Sequence, residues 1–198
     1  MLQQRAAGIL VDPIGHQAAQ NRERILDAAA QLFRERGFEG IGVADLMKEA
    51  GLTHGGFYGH FSSKDDLIAQ ASARELTRSL ADWSKIGERE SGNLLSAVAD
   101  AYLTRSHRDN PGAGCVLAAL GPDVARQGSP VRSAVTDYVR STVDLLTKLV
   151  PGKFKAARRQ KAISTYATLV GAMVLARAVD DRALSQEILD AGRASVKT

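Results

Sequence analysis

The chain has 198 residues, of which 44% are hydrophobic and 24% charged, and its formal net charge is +4. This composition is ordinary for a globular protein with one domain or two small ones, and a chain of this length can bury a sizeable core. A single cysteine excludes an internal disulfide framework and a multi-cysteine zinc site. No apolar run reaches the roughly 20 residues that a membrane helix needs, so a membrane partner is not expected.

The first 20 residues contain one Arg, one Pro and little hydrophobic periodicity. They lack the long apolar centre of a secretory signal peptide. We therefore expect a flexible leader over residues 1–20 and a cytoplasmic protein. The first predicted helix follows at Asn21–Gly37, where Ile25 and Phe33 belong to one apolar stripe.

A helix-turn-helix is the predicted arrangement of residues 41–64. A helix over Val43–Ala50 places apolar residues at i, i+3, i+4 and i+7 on one face. Gly51 supplies the backbone freedom that helix C-termini favour. Thr53 is a good N-cap, so a second helix is expected to begin there. This layout is typical of proteins whose second helix enters the DNA major groove.

The second helix of this pair is unusual, because the segment Thr53–Phe61 contains three glycines. Each glycine in a helix interior costs roughly 1 kcal/mol relative to alanine. Phe57 and Phe61 lie i, i+4 apart and can face the core, while the glycines allow the backbone to approach a duplex closely. The side chains left for the outside are Thr53, His54, Tyr58 and His60. A loop with a few aromatic anchors is the alternative interpretation.

Helical patterns continue along the rest of the chain. The predicted helices are Ser63–Lys85, a helix from Leu94 to near His107, Gly114–Gln127 with a kink near Pro122, a helix that starts at Ser129–Pro130 and ends before Val150–Gly152, one around Ile163–Arg177, and one from Ser185 to about Ala194. A polar break is predicted at Glu88–Asn93 and a turn at Asp109–Gly112. No alternating β pattern or repeat is present, so the predicted fold class is all-α, with about nine helices.

The motif Thr-x-Gly-x-x-Tyr-x-x-Phe at Thr53–Phe61, followed by Ser-Lys-Asp-Asp-Leu at 63–67, resembles the recognition helix and following turn of the TetR-like one-component repressors. Residues 24–33 and the pair Gly37-Phe38 are similar to the first helix of that family and its Gly-aromatic stop. The specific match covers about Arg22–Leu67, a quarter of the chain. Many members have Ser or Thr at the position of Gly42 and Lys at that of His54. These departures concern the base preference and leave the binding mode unchanged.

The resemblance implies a three-helix DNA-binding domain over residues 21–67 and a helical ligand-binding and dimerisation domain over residues 68–198. It implies a ligand-responsive regulator, most commonly a repressor, that binds a palindromic operator as a homodimer and is released by a small-molecule inducer. The residues expected to contact double-stranded DNA are Arg22, Val43, Thr53, His54, Gly55, Gly56, Tyr58, His60 and Lys64. Tyr58 and Thr53 would bond phosphates, and His54 is the best candidate for a base edge.

The last two long helices form the dimer interface in this family. The residues implied for that interface here are Ala167, Gly171, Val174, Leu184 and Ile188. Small residues allow two helices to approach closely, but the same pattern also fits core packing within one chain.

Candidate ligand-pocket residues come from the helices that surround the family's cavity. They are Trp83, Tyr102, His107, Cys115 and Tyr138. Each has a simpler alternative: Trp83 as an anchor of the long helix, Tyr102 and Tyr138 as core residues, and His107 as a cation at a helix end.

Cys115 follows the turn residues 111–114 and is expected near a helix N-terminus, a position that favours thiolate chemistry. Some members of the family sense oxidants or electrophiles through a cysteine. A thiol-based sensor is therefore one hypothesis for Cys115, and a buried small hydrophobe is the other.

Charge does not favour DNA binding by the N-terminal segment, because Asn21–Ile68 has six Lys/Arg against eight Asp/Glu. This net of −2, together with His54, motivates an alternative in which the chain is a helical interaction protein that does not bind DNA. An enzyme is not expected, since the sequence has no HExxH, no P-loop and no strand before a glycine-rich turn. No cofactor and no metal are expected either.

Overall fold

The computed structural model describes residues 13–89 and 94–197, and all regular secondary structure in this part of the chain is helical. The α-helices are α1 (Pro13–Arg36), α2 (Val43–Glu49), α3 (Lys64–Arg89), α4 (Leu94–Tyr102), α5 (Arg105–Asp109), α6 (Val116–Ala125), α7 (Ser129–Leu149), α8 (Lys155–Ala178) and α9 (Arg182–Lys197). Two 3₁₀ helices lie at His54–Gly59 and Pro111–Ala113. The predicted all-α fold is confirmed.

The N-terminal helices pack around a small aromatic core. Phe33, Phe38 and Phe57 are at most 1% exposed, and the rings of Phe33 and Phe38 meet edge to face at 5.4 Å. The chain leaves α1 through Gly37, whose φ of 77° suits glycine and whose N–H bonds the Phe33 carbonyl. This core holds α1, α2 and the first 3₁₀ helix as one unit.

The long helix α3 connects this unit to the rest of the molecule. Ser63 caps it, since the Asp66 N–H donates to Ser63 Oγ at 3.0 Å. Along its length α3 packs against α1, α4 and α7. One continuous helix therefore touches both ends of the fold.

The C-terminal helices enclose the larger part of the hydrophobic core, which is continuous with the N-terminal part. Leu103, Leu146, Leu169 and Met173 are fully buried in it. Helix α9 packs on α8 at Gly192, where an added Cβ would lie 2.9 Å from both Ala172 Cβ and Leu103 Cδ1. Among the described residues, no helix is long and apolar enough to cross a membrane.

Several helix ends differ from the sequence-based expectation. Helix α1 begins at Pro13 rather than Asn21, so residues 13–20 of the predicted leader are helical, as a proline at the first helical position favours. Residues 1–12 lie outside the described part of the chain. Helix α3 continues to Arg89, into the predicted polar break, whose residues 90–93 are likewise outside it.

Two side-chain caps explain further differences. The single helix predicted from Leu94 to His107 is two helices, because Thr104 starts α5 by accepting a 3.0 Å bond from the His107 N–H. The last helix starts at Arg182 rather than Ser185, because Asp181 accepts bonds from the backbone N–H groups of the first turn at 2.7 and 3.1 Å.

Candidate nucleic-acid interface and ligand cavity

The segment expected to read DNA is a 3₁₀ helix rather than the predicted α-helix. It spans His54–Gly59 and closes through the bonds from Gly56 N–H to the Thr53 carbonyl and from His60 N–H to the Phe57 carbonyl. Thr53 occupies the N-cap position, but its side chain makes no capping bond. Three glycines in six residues weaken the α-helical alternative.

Buried aromatic rings fix the orientation of this segment. Phe57 is completely buried and lies 5.8 Å from Phe61, while the neighbouring Tyr58 is 69% exposed. The His54 ring meets the Tyr58 ring edge to face at 6.5 Å. The outward side chains thus stand on a rigid apolar base.

The other predicted DNA contacts surround this segment. Thr53, His54, Gly55 and Gly56 are exposed, whereas Val43, His60 and Lys64 are partly exposed. Arg22 lies over the Phe61 ring at 5.2 Å and donates to Gln70, so it is tied to α3. Lys64 lies 3.5 Å from Glu39, which is itself 87% exposed in its side chain.

The fold does not require a glycine at position 55. An added Cβ would meet nothing within 4 Å, and the backbone does not have the positive φ that favours glycine. An added Cβ at Gly59 would also meet nothing within 4 Å. These positions are therefore free to serve a close approach by another molecule.

Part of the negative charge of the N-terminal unit is neutralised within the protein. Glu23 and Asp27 on α1 form ion pairs with Arg74 of α3 at 3.1 and 2.7 Å, and Asp27 also pairs with Arg78. The net charge of −2 counted for Asn21–Ile68 therefore overstates the negative charge of the surface around His54–Gly59.

A cavity of about 440 Å³ lies between α3, α4, α5 and the start of α6. Its wall includes four of the five predicted pocket residues, namely Trp83, Tyr102, His107 and Cys115. Tyr138 lies behind this wall, where its hydroxyl is 2.9 Å from Oγ of the lining residue Ser79. Trp83 and Tyr102 are also core residues, with ring centroids 5.5 Å apart.

His107 is a neutral hydrogen-bonded residue within α5, and not a cation at the helix end. Its Nε2 accepts a 2.9 Å bond from the Cys115 N–H, so its Nδ1 carries the proton donated to the Tyr102 carbonyl at 2.7 Å. Burial lowers the pKa of His107, partly opposed by the bond to the Tyr102 carbonyl, and the nearby Arg177 charge lowers it further. The ring thus links α5 to the start of α6.

Cys115 occupies the N-cap position of α6 and is 7% exposed. Its thiol lies beside the Tyr102 hydroxyl. The pKa of Tyr102 is raised, mainly by burial and next by the neighbouring Cys115. Cys115 is therefore buried, as a small core residue would be, yet it forms part of the cavity wall.

Arg34 joins the N-terminal unit to this cavity, and no motif or periodicity in the sequence marks it. Its Nε donates to the Gly112 carbonyl at 2.7 Å, and its Nη1 lies 2.8 Å from Glu75, which lines the cavity. The Arg34 and Glu75 side chains are only 9% and 14% exposed. Because the partners are 41 and 78 residues away in sequence, no local pattern could reveal them.

The residues predicted for the dimer interface lie at the surface of the protomer. Ala167, Val174 and Leu184 are exposed, and Gly171 and Ile188 are partly exposed. They follow one face of α8 and the adjacent face of α9, which pack on each other.

Comparisons with known proteins agree with this architecture. Residues 25–71 match the family described as bacterial regulatory proteins, tetR family. The transcriptional repressor NemR of Escherichia coli K12 is 26% identical over 172 residues, covering 82% of this chain and 86% of that protein. An uncharacterised HTH-type transcriptional regulator of Mycobacterium tuberculosis is 29% identical over 167 residues, covering 79% and 84% of the two chains.

Solved structures give the same result. The crystal structure of the reduced form of E. coli NemR superposes with a TM-score of 0.74 at 26% identity, covering 90% of this chain and 95% of that one. A TetR-family regulator from Agrobacterium tumefaciens has a TM-score of 0.75 at 23% identity, covering 90% and 98%. These relatives are named as transcriptional regulators. With its helix-turn-helix, its body of helices and these relatives, the chain is similar to TetR-like DNA-binding transcriptional regulators, and residues 25–71 match that family directly.

Proposed function

We propose that this protein is a cytoplasmic repressor that binds a palindromic operator as a homodimer and leaves it when a small-molecule inducer occupies the cavity. The observation that carries the proposal is the continuity of α3. Its first residue, Lys64, lies beside the His54–Gly59 segment, and its later residues Glu75, Ser79 and Trp83 line the cavity. A ligand that tilts α3 therefore moves the DNA-reading segment directly.

The reading segment supports the proposal through its exposed groups. Tyr58 and Thr53 offer hydroxyls to phosphates, His54 offers a ring nitrogen to a base edge, and Gly55 offers its backbone N–H. A helix-turn-helix dimer places two such segments one helical turn of DNA apart, which is why a palindrome is the expected target.

The proposal is tested by incubating the purified protein with sheared DNA of its source at physiological salt and sequencing the retained fragments. Enrichment of one palindrome is the expected result. The affinity for that fragment is expected to fall steeply with salt, with a slope of about −0.9 for each phosphate neutralised. No enrichment, or binding that is independent of salt, would favour the helical interaction protein instead.

Gly55→Ala separates DNA contact from fold stability. Because the added Cβ meets nothing in the free protein, we expect unfolding in urea to be unchanged or shifted toward higher stability by up to about 1 kcal/mol. The same methyl group would hold a duplex away from the backbone, so operator affinity should fall about ten-fold, or about 1.4 kcal/mol.

Gly121→Ala is the matched control for this substitution, since its added Cβ also meets nothing within 4 Å and it lies in α6. Equal operator affinities of the two variants would remove Gly55 from the proposed DNA contact.

The dimer is proposed from an apolar surface stripe. On α8 the stripe contains Ile163, Ala167 and Val174, and on α9 it continues through Leu184 and Ile188. Ile163, Val174 and Leu184 are 49%, 38% and 42% exposed in the single protomer. Two copies of this stripe would form a four-helix interface around a two-fold axis, where the same surface patch of each subunit meets its copy.

Val174→Glu is expected to convert the protein to a monomer, because it places a carboxylate in the middle of the apolar stripe. The protomer should still fold, since Val174 already faces solvent. Sedimentation equilibrium measures the change. Ser141→Glu adds the same charge to an exposed position of α7 and should leave the assembly unchanged; a Val174→Glu protein with the wild-type mass would disprove the interface.

A thiol-based electrophile sensor is a second candidate function, and the position of Cys115 favours it. The residue lines the cavity beside the Tyr102 hydroxyl and at the start of α6. A covalent adduct on its sulfur would occupy the same space as an inducer, so both signals would use the same route through α3.

Cys115→Ser tests the sensor hypothesis cleanly, since the chain has no other cysteine. Iodoacetamide is the probe: the thiolate displaces iodide, and a carbon–sulfur bond forms. We expect it to release the wild-type protein from operator DNA and to leave the Cys115→Ser protein bound, as measured by fluorescence anisotropy of the labelled DNA. Equal behaviour of the two proteins would show that Cys115 is a core residue only.

A further inference from the structure

The cavity wall contains the rings of Trp83, Tyr102 and His107, and Trp83 also meets the ring of Tyr166, which does not line this cavity. Trp83 lies 5.5 Å from Tyr102 and 5.9 Å from Tyr166, and Tyr102 lies 4.5 Å from the His107 ring. Aromatic rings prefer offset or edge-to-face neighbours at these distances. A planar conjugated ligand would extend this arrangement.

Two hydroxyls of this aromatic group lack well-formed hydrogen bonds. Tyr102 is 8% exposed and Tyr166 is 6% exposed, and neither hydroxyl makes a hydrogen bond of ordinary geometry among the described residues, although the Cys115 thiol lies beside Tyr102 and the Tyr138 hydroxyl beside Tyr166. A buried hydroxyl without a partner costs about 1–3 kcal/mol. Tyr102 belongs to the cavity wall, so a ligand acceptor that reached its hydroxyl would remove this cost.

A positive charge without a counter-ion lies behind the same wall. Arg177 of α8 donates its Nε to the Arg108 carbonyl at 3.1 Å and its Nη2 to the His107 carbonyl, while its Nη1 is buried and unpartnered. No carboxylate in the described part of the chain lies within 4 Å of it. Burial lowers the pKa of Arg177, partly opposed by Tyr102 and Cys115.

Gly114 packs directly against this charge, because it has no side chain to hold Arg177 away from the cavity wall. It lines the cavity, and an added Cβ there would lie 2.9 Å from Arg177 Nη2 and 2.7 Å from the His107 ring. Two carboxylates of α3 also line the cavity, but Glu75 pairs with Arg34 and Arg78, and Asp82 pairs with Lys85. The charge that remains uncompensated is therefore positive.

We propose that the cavity binds a small aromatic or conjugated acid, with its ring against Trp83 and Tyr102 and its carboxylate toward the Tyr102 hydroxyl and Arg177. This inference rests on the proposed function in taking the cavity as the effector site, and it adds the chemical class of the effector. The anion would supply the missing counter-ion of Arg177 and accept from the unpartnered Tyr102 hydroxyl.

The test compares acids with their uncharged amides. Benzoate with benzamide and cinnamate with cinnamamide are titrated into the full-length protein by calorimetry. Fluorescence provides an independent signal, because Trp83 is the chain's single tryptophan. We expect each acid to bind at least about ten-fold more tightly than its amide, as for charge-assisted hydrogen bonds.

Two variants locate the carboxylate. Arg177→Gln should abolish the preference for acids, whereas Arg159→Gln, which removes a surface arginine paired with Asp144, should keep it. Tyr102→Phe should weaken acid binding about three-fold without lowering the unfolding temperature, because the hydroxyl makes no hydrogen bond of ordinary geometry and has only the weakly bonding Cys115 thiol beside it. If Arg177→Gln does not fold, the Tyr102→Phe protein and the acid–amide comparison in the wild type decide the question.

Equal binding of acids and amides, or no binding of either acid up to about 10 mM, would overturn the inference. DNA retention by the same preparations separates the two proposals. A protein that retains its palindrome but ignores the acids keeps the proposed function and loses the effector class. A protein that binds the acids but retains no DNA keeps the effector site and loses the repressor function.

Discussion

Arg34→Met is expected to lower the free energy of unfolding by about 2–4 kcal/mol, because it leaves a mostly buried carboxylate short of a partner. Wild-type Arg34 pairs with Glu75 and donates to the Gly112 carbonyl. In the variant, the one cation left beside Glu75 in the described part of the chain is Arg78, which is 55% exposed in its side chain. Urea unfolding followed by circular dichroism measures the loss.

Two further variants test whether the loss comes from the ion pair itself. Arg36→Met removes an exposed arginine of the same helix and should change stability by no more than about 0.5 kcal/mol. The double variant Arg34→Met/Glu75→Met removes both charges and should recover much of the loss, as replaced buried ion pairs do. An Arg34→Met protein as stable as Arg36→Met would show that the pair contributes little.

The Arg34 contacts also predict a functional effect. They join α1 to the 3₁₀ helix Pro111–Ala113, which leads directly into Cys115 and α6. The double variant should therefore fold and bind operator DNA, yet respond less to whatever ligand occupies the cavity. If the ligand released the double variant from operator DNA as readily as the wild type, the signal would pass through α3 alone.

Gly40→Ala is expected to destabilise the N-terminal unit by about 2–4 kcal/mol through backbone strain. An added Cβ would lie 1.9 Å from the Arg36 carbonyl oxygen and 2.8 Å from its carbon, so the backbone itself must move. The adjacent Phe38 and Ile41 are buried and hold the loop in place on both sides. Operator binding should weaken with stability, because this loop sets the direction in which α2 leaves α1.

Gly42 provides the control substitution for Gly40→Ala. Its added Cβ has only one neighbour, at 4.0 Å, and it occupies the N-cap of α2 without a capping side chain. Gly42→Ala should leave the unfolding midpoint nearly unchanged, and Gly42→Ser should stabilise by a few tenths of a kcal/mol through a new cap. Similar midpoints for Gly40→Ala and Gly42→Ala would contradict the predicted strain.

Local patterns predicted most of the fold because helix periodicity and turn residues act over a few positions. The apolar spacing over Val43–Ala50 matches α2 closely, and Ser129–Pro130 marks the start of α7. Side-chain caps were harder to recognise, since Thr104 and Asp181 are ordinary polar residues until the chain bends at them. The same applies to the glycine-rich segment, where backbone bonds close a 3₁₀ helix.

Contacts between distant segments could not be predicted in this way. The sequence pointed to the aromatic residues and Cys115, which the structure groups around one cavity, but it gave no signal for Arg34 or Arg177. Arg177 lies in an apolar stripe of α8, and its partners, the carbonyls of residues 108 and 107, are 69 and 70 positions earlier. Only tertiary structure shows that its charge has no acidic neighbour.

The length of α3 determines how small a tilt is enough to move the DNA-reading segment. A helix of 26 residues is about 39 Å long, so a tilt of about 5° around its far end shifts its first turn by about 3 Å. That shift is close to the 3.4 Å rise of one base-pair step. Two protomers that tilt in opposite directions would change the separation of their reading segments by about two steps, enough to lose register with half-sites fixed one helical turn apart. An angular change smaller than most side-chain rotations can therefore separate the bound state from the released one.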